Sequence, residues 1–256
     1  MTEAKDAQVR LGVIGLGGRG RGLLKMILEM DDVAVPAVCD LYEDRLQMGA
    51  ELVEASGRKK ADQYQDYEQL LARGDLDGVI IATSIISHAK IAIAAMEAGV
   101  VPGMEVGGAA SLEECWELVR TSERTGVHCM MLENCNFGRD EMALLNMVKK
   151  GIFGELIHCQ CGYEHDLREQ VVMGKENRHN RHTLYLHRNG DNYPTHGLGP
   201  AAKCLDINRG NQFLTLNSIA SKSRGLNEWA KNNLGSDHPL AHADFKQGDI
   251  VTTMIR

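Results

Sequence analysis

A short apolar run, a glycine-rich turn and an amphipathic segment follow one another near the start of the chain, and this order limits the folds open to it. The run is VRLGVI at residues 9–14, and the turn at residues 15–20 reads GLGGRG. Beyond the turn, apolar residues recur at helical spacing: Leu23, Leu24, Ile27 and Leu28. Gly15 suits a tight turn, Gly17 admits a pyrophosphate to the backbone, and Gly20 lets the helix pack closely. The pattern predicts the strand, turn and helix of a dinucleotide-binding domain.

An acidic residue at the end of the next apolar segment, AVPAVCD, indicates which dinucleotide is bound. Asp40 lies at the distance beyond the glycine turn where a carboxylate can accept hydrogen bonds from the adenosine ribose. The same charge disfavours the 2'-phosphate of NADP, so we expect NAD as the cofactor. Because Pro36 cannot donate a hydrogen bond within an inner strand, we expect this strand to start at about Ala37.

Apolar runs and amphipathic segments continue to alternate as far as residue 134. We expect helices at 42–56, 66–72 and 88–98, strands at 78–83 and in VVPGMEV and VHCMMLEN, and a further helix opened by the capping-box pattern Ser111-x-x-Glu114. Such alternation predicts an α/β domain with a doubly wound parallel sheet, covered by helices on both faces.

Polar side chains follow several of these predicted strands. Glu105, Glu133 and Asn134 come at carboxyl ends of strands, where ligands of parallel sheets bind, although each could equally be a loop residue or a helix cap. His88 follows the strand that ends at Thr83, and we expect it to begin a helix, with a cofactor contact as the alternative.

Charge and composition exclude several classes of partner. The chain has 256 residues and a net charge of -7, and its Lys and Arg residues are scattered, so we expect neither nucleic acid nor a membrane surface as partner. It contains no apolar run typical of a signal peptide or a membrane span, which predicts a cytoplasmic protein unless an export signal has been removed. The seven cysteines are an odd number without the density of a disulfide scaffold, and we expect them to be reduced.

Two groups of side chains resemble metal ligands only superficially. Cys159 and Cys161 would share one face of a strand but have no second cysteine pair. Four histidines fall close together, at positions 179, 182, 187 and 196, but their spacing matches no common ligand motif. We therefore expect no metal site.

The pattern changes near Gly138, where we place a domain boundary between residues 1–138 and 139–256. A helix from Arg139, a strand in IHCQCGYEH and long polar loops replace the regular alternation, which indicates an α+β domain. Within it, residues 189–200 read NGDNYPTHGLGP, and the glycines and prolines predict a sharply shaped loop that presents Asp191, Tyr193 and His196. The alternative is that His196 caps a helix beginning near Pro200.

Longer motifs in the second half identify a resemblance. The chain carries LENCNFGRDEMALLNMVKKGIFGELI, then RNGDNYPTHGLGP, INRGN and SKSRGLN. With the glycine turn and MEV, these motifs resemble the Gfo/Idh/MocA oxidoreductase superfamily and, within it, glycoside hydrolase family 109, whose type activity is that of an NAD-dependent α-N-acetylgalactosaminidase. The similarity covers essentially the whole chain, and it implies an open mixed sheet in the second domain and association into homo-oligomers through that sheet.

The resemblance also implies which residues bind ligands. The residues implied to contact NAD, with the glycines of the turn, are Gly15, Gly17, Gly18, Arg19, Gly20, Asp40, His88, Glu105, Val106 and Asn134. The residues implied to contact the sugar of a small-molecule glycoside are Tyr163, Arg181, Tyr193, Pro194, Thr195 and His196.

The implied reaction is a glycoside hydrolysis that begins with oxidation. The sugar is oxidised at C3 with hydride passing to NAD, the ketone acidifies the C2 hydrogen, the C1 substituent is eliminated, water adds and the hydride returns. A carbonyl makes this possible because it spreads the negative charge onto oxygen. Our hypothesis is that His196 is the acid and base at the C3 oxygen or the C2 hydrogen, with Tyr163 or Tyr193 as its helper, because imidazole titrates near neutral pH.

Three departures from the patterns of related proteins bear on the function. Glu105-Val106-Gly107 stands where many related dehydrogenases have Glu-Lys-Pro, which argues against a plain sugar dehydrogenase and is compatible with the hydrolase branch. Against that branch, Ile85-Ile86-Ser87-His88 replaces its usual Trp-rich segment. The sequence also stops within an expected strand, DIVTTMIR, so we expect the second domain to be truncated at its C-terminus. The alternatives are an NAD-dependent sugar or cyclitol dehydrogenase and an inactive NAD-binding fragment.

Overall fold

A computed structural model describes residues 8–256 and divides the chain into two compact units. The first is Met1–Glu133 and the second Asn134–Arg256, so the division falls a few residues before the boundary expected at residue 138. In the part of the chain that the structure describes, no helix is both long and apolar enough to cross a lipid bilayer.

The first unit is a parallel sheet whose strands alternate with helices. Its elements are β1 (Val9–Ile14), α1 (Gly18–Leu28), β2 (Val33–Cys39), α2 (Glu43–Ala55), β3 (Asp62–Tyr64), α3 (Tyr67–Leu71), β4 (Gly78–Ile81), α4 (Ile85–Glu97), β5 (Val101–Met104), α5 (Leu112–Thr125) and β6 (Met130–Met131). The six strands are ordered β3-β2-β1-β4-β5-β6, and all pairs are parallel. The order reverses beside β1, which places the carboxyl ends of β1 and β4 at the switch point where ligands of such sheets bind.

Successive strand residues enter two separate apolar clusters, as expected of a sheet with buried faces. Val13 and Val38 belong to one cluster, whereas their neighbours Ile14 and Cys39 belong to the other. Full burial of each Val or Ile side chain contributes about 1.5–3 kcal/mol. The predicted doubly wound sheet is therefore confirmed.

The start of β2 differs from the prediction. The strand begins at Val33 and contains Pro36, whereas we expected it to start at about Ala37. Its register with β1 shifts beside the proline, since Arg10 pairs with Ala34 but Gly12 pairs with Ala37. A residue at such an irregularity does not need to donate to the ladder, which is why the proline is tolerated inside the sheet.

Helix starts show both an error and a confirmation. The prediction that a helix begins at His88 is wrong, because α4 begins at Ile85 and buries His88 within it. The apolar pair Ile85-Ile86 continues the helix towards its N-terminus, so the histidine is not a cap. The capping box of α5 is confirmed: Ser111 Oγ accepts a hydrogen bond from the Glu114 amide at 3.1 Å, and Glu114 Oε2 accepts one from the Ala110 amide at 2.5 Å.

The second unit is mainly helical. Its elements are α6 (Arg139–Lys149), α7 (Arg168–Val172), α8 (Arg181–His187), α9 (Pro194–Cys204), β7 (Leu216–Ala220), α10 (Gly225–Leu234) and β8 (Val251–Ile255). Its core is formed by α7, α10 and the segment before β8: Leu167, Val171, Val172, Leu226, Ala230 and Phe245. In residues 134–256 the sheet is one antiparallel pair, β7 with β8, smaller than the mixed sheet that the resemblance implies.

The strand predicted in IHCQCGYEH is wrong. Residues 157–165, all within the part of the chain that the structure describes, have no regular secondary structure and pair with no strand. Alternating side chains are necessary for a strand but do not supply the neighbouring chain that must complete its hydrogen bonds.

The loop predicted at residues 189–200 is wrong over most of its length. Helix α9 begins at Pro194, so His196 lies in its first turn and does not cap a helix starting at Pro200. A proline at the first helical position loses no hydrogen bond, since that amide has no partner in any helix. Gly199 serves close packing, because an added Cβ would lie 2.8 Å from Oδ1 of Asn136.

Candidate functional site

The glycine turn leaves open space where a pyrophosphate is expected. Gly15 has φ +93°, and a Cβ there would lie 2.6 Å from the Ala82 carbonyl oxygen. A Cβ on Gly20 would lie 1.8 Å from the Gly15 carbonyl oxygen, so both positions require glycine. By contrast, a Cβ on Gly17 would meet its first neighbour at 3.9 Å, and one on Gly18 would meet nothing within 4 Å. The first pair shapes the turn, and the second pair leaves its backbone accessible.

The N-terminus of α1 suits an anion. Gly17 occupies the N-cap position without a side-chain cap, and the first turn contains no acidic residue. Its amide groups and the helix dipole therefore point towards the open space beside Gly17 and Gly18. Arg21 adds a positive charge, and its Nη1 donates to the Leu16 carbonyl at 2.6 Å. These features fit the pyrophosphate of a dinucleotide.

Asp40 holds the turn in place. Its side chain is buried at the end of β2, where Oδ2 accepts a hydrogen bond from the Leu16 amide at 2.7 Å and Oδ1 accepts one from the Tyr42 amide at 3.0 Å. Each carboxylate oxygen has a second lone pair, so ribose hydroxyls can still donate to it. The neighbouring Cys39 thiol is inert, because burial, with smaller contributions from the charges of Asp40 and Asp66, raises its pKa to about 12.

An ion pair joins the turn to the end of β5. Arg19 Nε donates to Glu105 Oε1 at 2.6 Å, and Nη2 lies at 2.6 Å from the same oxygen. Glu105 Oε2 accepts a hydrogen bond from the Val106 amide at 3.2 Å. The structure thus brings together three of the residues predicted to contact the cofactor, Arg19, Glu105 and Val106.

His88 is buried beside the same strand ends. Only 2% of the residue is exposed, and Nε2 lies 3.3 Å from the Thr83 carbonyl oxygen. Burial lowers the pKa of His88 below its usual value, against the smaller opposing effects of the Thr83 carbonyl and the Glu105 charge. The neutral ring is therefore the folded form.

The lowered pKa of His88 predicts a loss of stability in acid. In the unfolded chain the His88 ring binds a proton near pH 6.5, whereas in the folded chain it does so only at lower pH. The contribution of the neutral His88 to the free energy of unfolding is therefore complete above pH 6.5 and is lost as the pH falls. His88→Gln should reduce this acid dependence, which thermal melts of both proteins at about pH 7.5 and 5.5 would measure. An equal decrease in melting temperature for both proteins would contradict the prediction.

Two more of the predicted residues are adjacent in the chain, on either side of the division between the units. Glu133 is buried at the end of the first unit, whereas Asn134 is exposed and begins the second. The side chain of Asn134 has a long contact, 4.0 Å, from its amide nitrogen to Cys135 Sγ. Its contact with NAD remains a prediction.

The second unit contains a cluster of aromatic rings around His196. Its ring centroid lies 4.4 Å from that of Tyr163 and 5.6 Å from that of Tyr193, and the Tyr193 ring is nearly parallel, at 11°. The two tyrosine rings meet edge to face at 6.0 Å. The three rings therefore pack against one another in a triangle, and all three belong to residues predicted to be catalytic.

Arg181 holds one of these tyrosines. Its Nε donates to the Tyr193 hydroxyl at 2.8 Å, and Nη2 donates to the same oxygen. Nη1 donates to Gln170 Oε1, and the guanidinium carbon lies 5.2 Å from the centre of the Tyr193 ring. The planar guanidinium fixes both the position and the orientation of the phenol.

The remaining residues predicted to contact the sugar, Pro194 and Thr195, lie between Tyr193 and His196 in the sequence. Pro194 is exposed at the start of α9, and the Thr195 hydroxyl oxygen is buried without a hydrogen-bond partner. A buried hydroxyl in that condition is costly unless a ligand supplies the missing bond.

Sequence reasoning missed two neighbours of the cluster. The Tyr163 hydroxyl lies 3.0 Å from Nδ1 of His165, and Gln170 pairs with Arg181. The spacing Tyr-x-His in an extended segment puts both rings on one side and could have indicated the first contact. The second joins separate elements and has no local signal.

The parallel sheet, the glycine turn and the smaller second unit define a two-domain oxidoreductase fold with an NAD-binding Rossmann domain. A myo-inositol 2-dehydrogenase from Lactobacillus plantarum shares this fold with a TM-score of 0.70 at 15% identity, over 97% of this chain and 69% of that one. So does an oxidoreductase from Agrobacterium radiobacter, solved with NAD+, L-tartaric acid and magnesium, with a TM-score of 0.67 at 20% identity over 97% and 63%.

Sequence comparison gives the family. Residues 9–133 match the oxidoreductase family with an NAD-binding Rossmann fold, and residues 137–256 match the C-terminal domain of glycosyl hydrolase 109. Together the two matches extend over nearly the whole described chain, the first to the oxidoreductase family and the second to glycosyl hydrolase 109. The resemblance seen in the motifs is confirmed, as is NAD as the cofactor of the first domain.

Two relatives illustrate the extent of the match. A glycosyl hydrolase family 109 protein of Parabacteroides distasonis is 40% identical over 275 residues, which cover 98% of this chain and 59% of the relative. A protein of Tannerella forsythia named alpha-N-acetylgalactosaminidase is 40% identical over 276 residues, covering 98% and 58%. The chain thus spans somewhat more than half the length of these relatives.

Proposed function

We propose that the protein is an NAD-dependent glycoside hydrolase acting on α-N-acetylgalactosaminides. The observation that carries the proposal is the packing of His196 against both Tyr163 and Tyr193, in a chain whose other unit has the NAD-binding turn. The name of the Tannerella forsythia relative supports the substrate class.

The residues proposed to hold the cofactor are mainly those at the carboxyl ends of the strands of the first unit, with Asn134, the first residue of the second unit. The amides of Gly17 and Gly18 would bind the pyrophosphate, and Asp40 the adenosine ribose. Arg19, His88, Glu105, Val106 and Asn134 would complete the site. Bound NAD supplies hydride acceptance at C3 of the sugar and the later return of that hydride.

The chain's own side chains would move the protons. His196 would take a proton from the C3 hydroxyl or from C2 and return it later, because an imidazole changes protonation near neutral pH. Tyr163 and Tyr193 would orient that ring and bind the sugar. Arg181, Pro194 and Thr195 would complete the sugar site, and the partnerless Thr195 hydroxyl would gain a hydrogen bond from the substrate.

The alternative is an NAD-dependent sugar or cyclitol dehydrogenase, and one protein that shares the fold is named a myo-inositol 2-dehydrogenase. Against it, the Glu-Lys-Pro sequence common in such enzymes is replaced at residues 105–107. Gly107 has φ +88°, which proline cannot adopt, and an added Cβ would lie 2.6 Å from Ile85 Cγ1. The backbone of this chain has therefore diverged at that position as well as the side chains.

Hydrolysis of an aryl α-N-acetylgalactosaminide in deuterated water with NAD+ should replace the C2 proton by deuterium, because the proposed route breaks the C2–H bond. Proton NMR follows this exchange and the release of sugar together. Hydrolysis with C2–H retained would contradict the mechanism. Accumulation of NADH with free sugar would identify the dehydrogenase, and NAD binding without turnover an inactive protein.

Association and location are further proposals. The pair β7 and β8 exposes Leu216, Ile219 and Met254, which supports a homo-oligomer formed through this sheet. The seven cysteines, all within the described residues, form no disulfide, which supports a reducing compartment such as the cytoplasm.

A further inference from the structure

Gln247, a buried glutamine before β8, forms hydrogen bonds to the residues that lead into α9 and His196. Gln247 is only 6% exposed, and its amide makes three hydrogen bonds. Nε2 donates to the Gly190 carbonyl at 2.8 Å and to the Gly248 carbonyl at 3.3 Å, and Oε1 accepts from Asn192 Nδ2 at 3.2 Å. Both donors of the amide are thus used.

The backbone that carries Gln247 is itself firmly held. The amides of Lys246 and Gln247 donate to the Tyr185 carbonyl at 2.9 and 3.1 Å, and Phe245 lies in the apolar core of the unit. Gly248 is pressed against the chain, since an added Cβ would lie 2.4 Å from the Ser221 carbonyl oxygen. The glutamine therefore extends from a fixed support.

The segment held by the glutamine leads directly into the aromatic cluster. Gly248 donates its amide hydrogen to Asn189 Oδ1 at 3.1 Å, so residues 189–192 are bound to residues 247–248 at several points. The Tyr193 amide donates to Asp191 Oδ1 at 3.1 Å, and the His196 amide donates to the Tyr193 carbonyl at 3.2 Å. A displacement of Asn192 would therefore move Tyr193 and, through α9, His196.

We propose that Gln247 is a positioning residue that sets Tyr193 and His196 through its hydrogen bonds to Gly190 and Asn192. The inference rests on the proposed function for its catalytic consequence, whereas the placement of the rings stands independently of any reaction. Misplacement of reacting groups by about 1 Å can reduce a rate by about 100-fold, which is the size of effect expected here.

The test compares two variants of the full chain. Gln247→Met keeps the length and volume of the side chain but removes its three hydrogen bonds. Asn227→Leu is the matched control, because Asn227 Nδ2 also donates to two carbonyls, Leu240 at 3.0 Å and Ala243 at 2.9 Å, neither of which belongs to residues 189–192. If Gln247→Met fails to fold, Asn192→Ala removes one of the same bonds from the other side.

Two measurements decide the outcome. The His196 ring packs against two tyrosine rings, so in proton NMR its ring protons should move towards the positions of a free histidine in Gln247→Met but not in Asn227→Leu. The kcat should fall by about 100-fold with the Kd for NAD unchanged, and again only in the first variant. Unmoved His196 resonances would overturn the proposal, and so would moved resonances with an unaltered kcat. If the wild-type chain does not act on galactosaminides, the resonances still decide whether Gln247 places the rings.

Discussion

Replacing His196 with alanine will lower turnover of an α-N-acetylgalactosaminide by about 100-fold to 10,000-fold, the usual contribution of a positioned general acid or base. The imidazole packs against the rings of both Tyr163 and Tyr193, the other two residues proposed to act on the sugar. The Kd for NAD should be unchanged, because the glycine turn, Asp40 and the pair of Arg19 with Glu105 belong to the first unit. Steady-state kinetics and an NAD titration measure the two quantities separately.

The control for this variant is His187→Ala, which removes an exposed histidine at the end of α8. It should retain both turnover and NAD affinity. Full turnover by His196→Ala with normal NAD binding would exclude His196 as the acid and base.

Gly20→Ala will destabilise the first unit by about 3 kcal/mol and weaken NAD binding strongly. The new Cβ would lie 1.8 Å from the Gly15 carbonyl oxygen, and overpacking against a backbone atom cannot be relieved by rotating a side chain. Helix α1 must instead move away from β1, which displaces the amides at its N-terminus. Thermal unfolding and an NAD titration would measure both effects.

Gly22→Ala is the matched substitution on the same helix. A Cβ there meets nothing within 4 Å, so the change should stabilise the helix by about 1 kcal/mol through the better propensity of alanine, with NAD binding retained. Equal effects of the two substitutions on stability and NAD affinity would contradict the prediction. Glycine would then not be required at position 20 by the close approach of α1 to the Gly15 backbone.

The first unit could be predicted largely from its sequence because its signals are local. Gly15 and Gly20 take the conformation and the close contact that the motif requires, and Ser111 caps α5 as its spacing indicates. The errors arise where a neighbouring element decides. Pro36 is tolerated because of a register shift against β1, which β2 alone does not reveal.

The second unit was less predictable because its arrangement depends on distant contacts. Pro194 and Gly199 suggested a loop, yet one opens α9 and the other allows Asn136 to pack against it. The motif did select Tyr193 and His196 as candidates, whereas their supports were not apparent. The bond between Asn192 and Gln247 joins residues 55 positions apart, and no local pattern marks it.

The two hydrogen bonds of Asp40 bear on how this protein could evolve. The carboxylate proposed to select the coenzyme also accepts hydrogen bonds from the amide of Leu16 in the glycine turn and from the amide of Tyr42 after β2. A single substitution that removed its charge to admit a phosphorylated ribose would also leave at least one of those two amides without its acceptor. Any lineage that changed coenzyme by this route would therefore need a second substitution to restore the turn, which makes the preference for NAD resistant to drift.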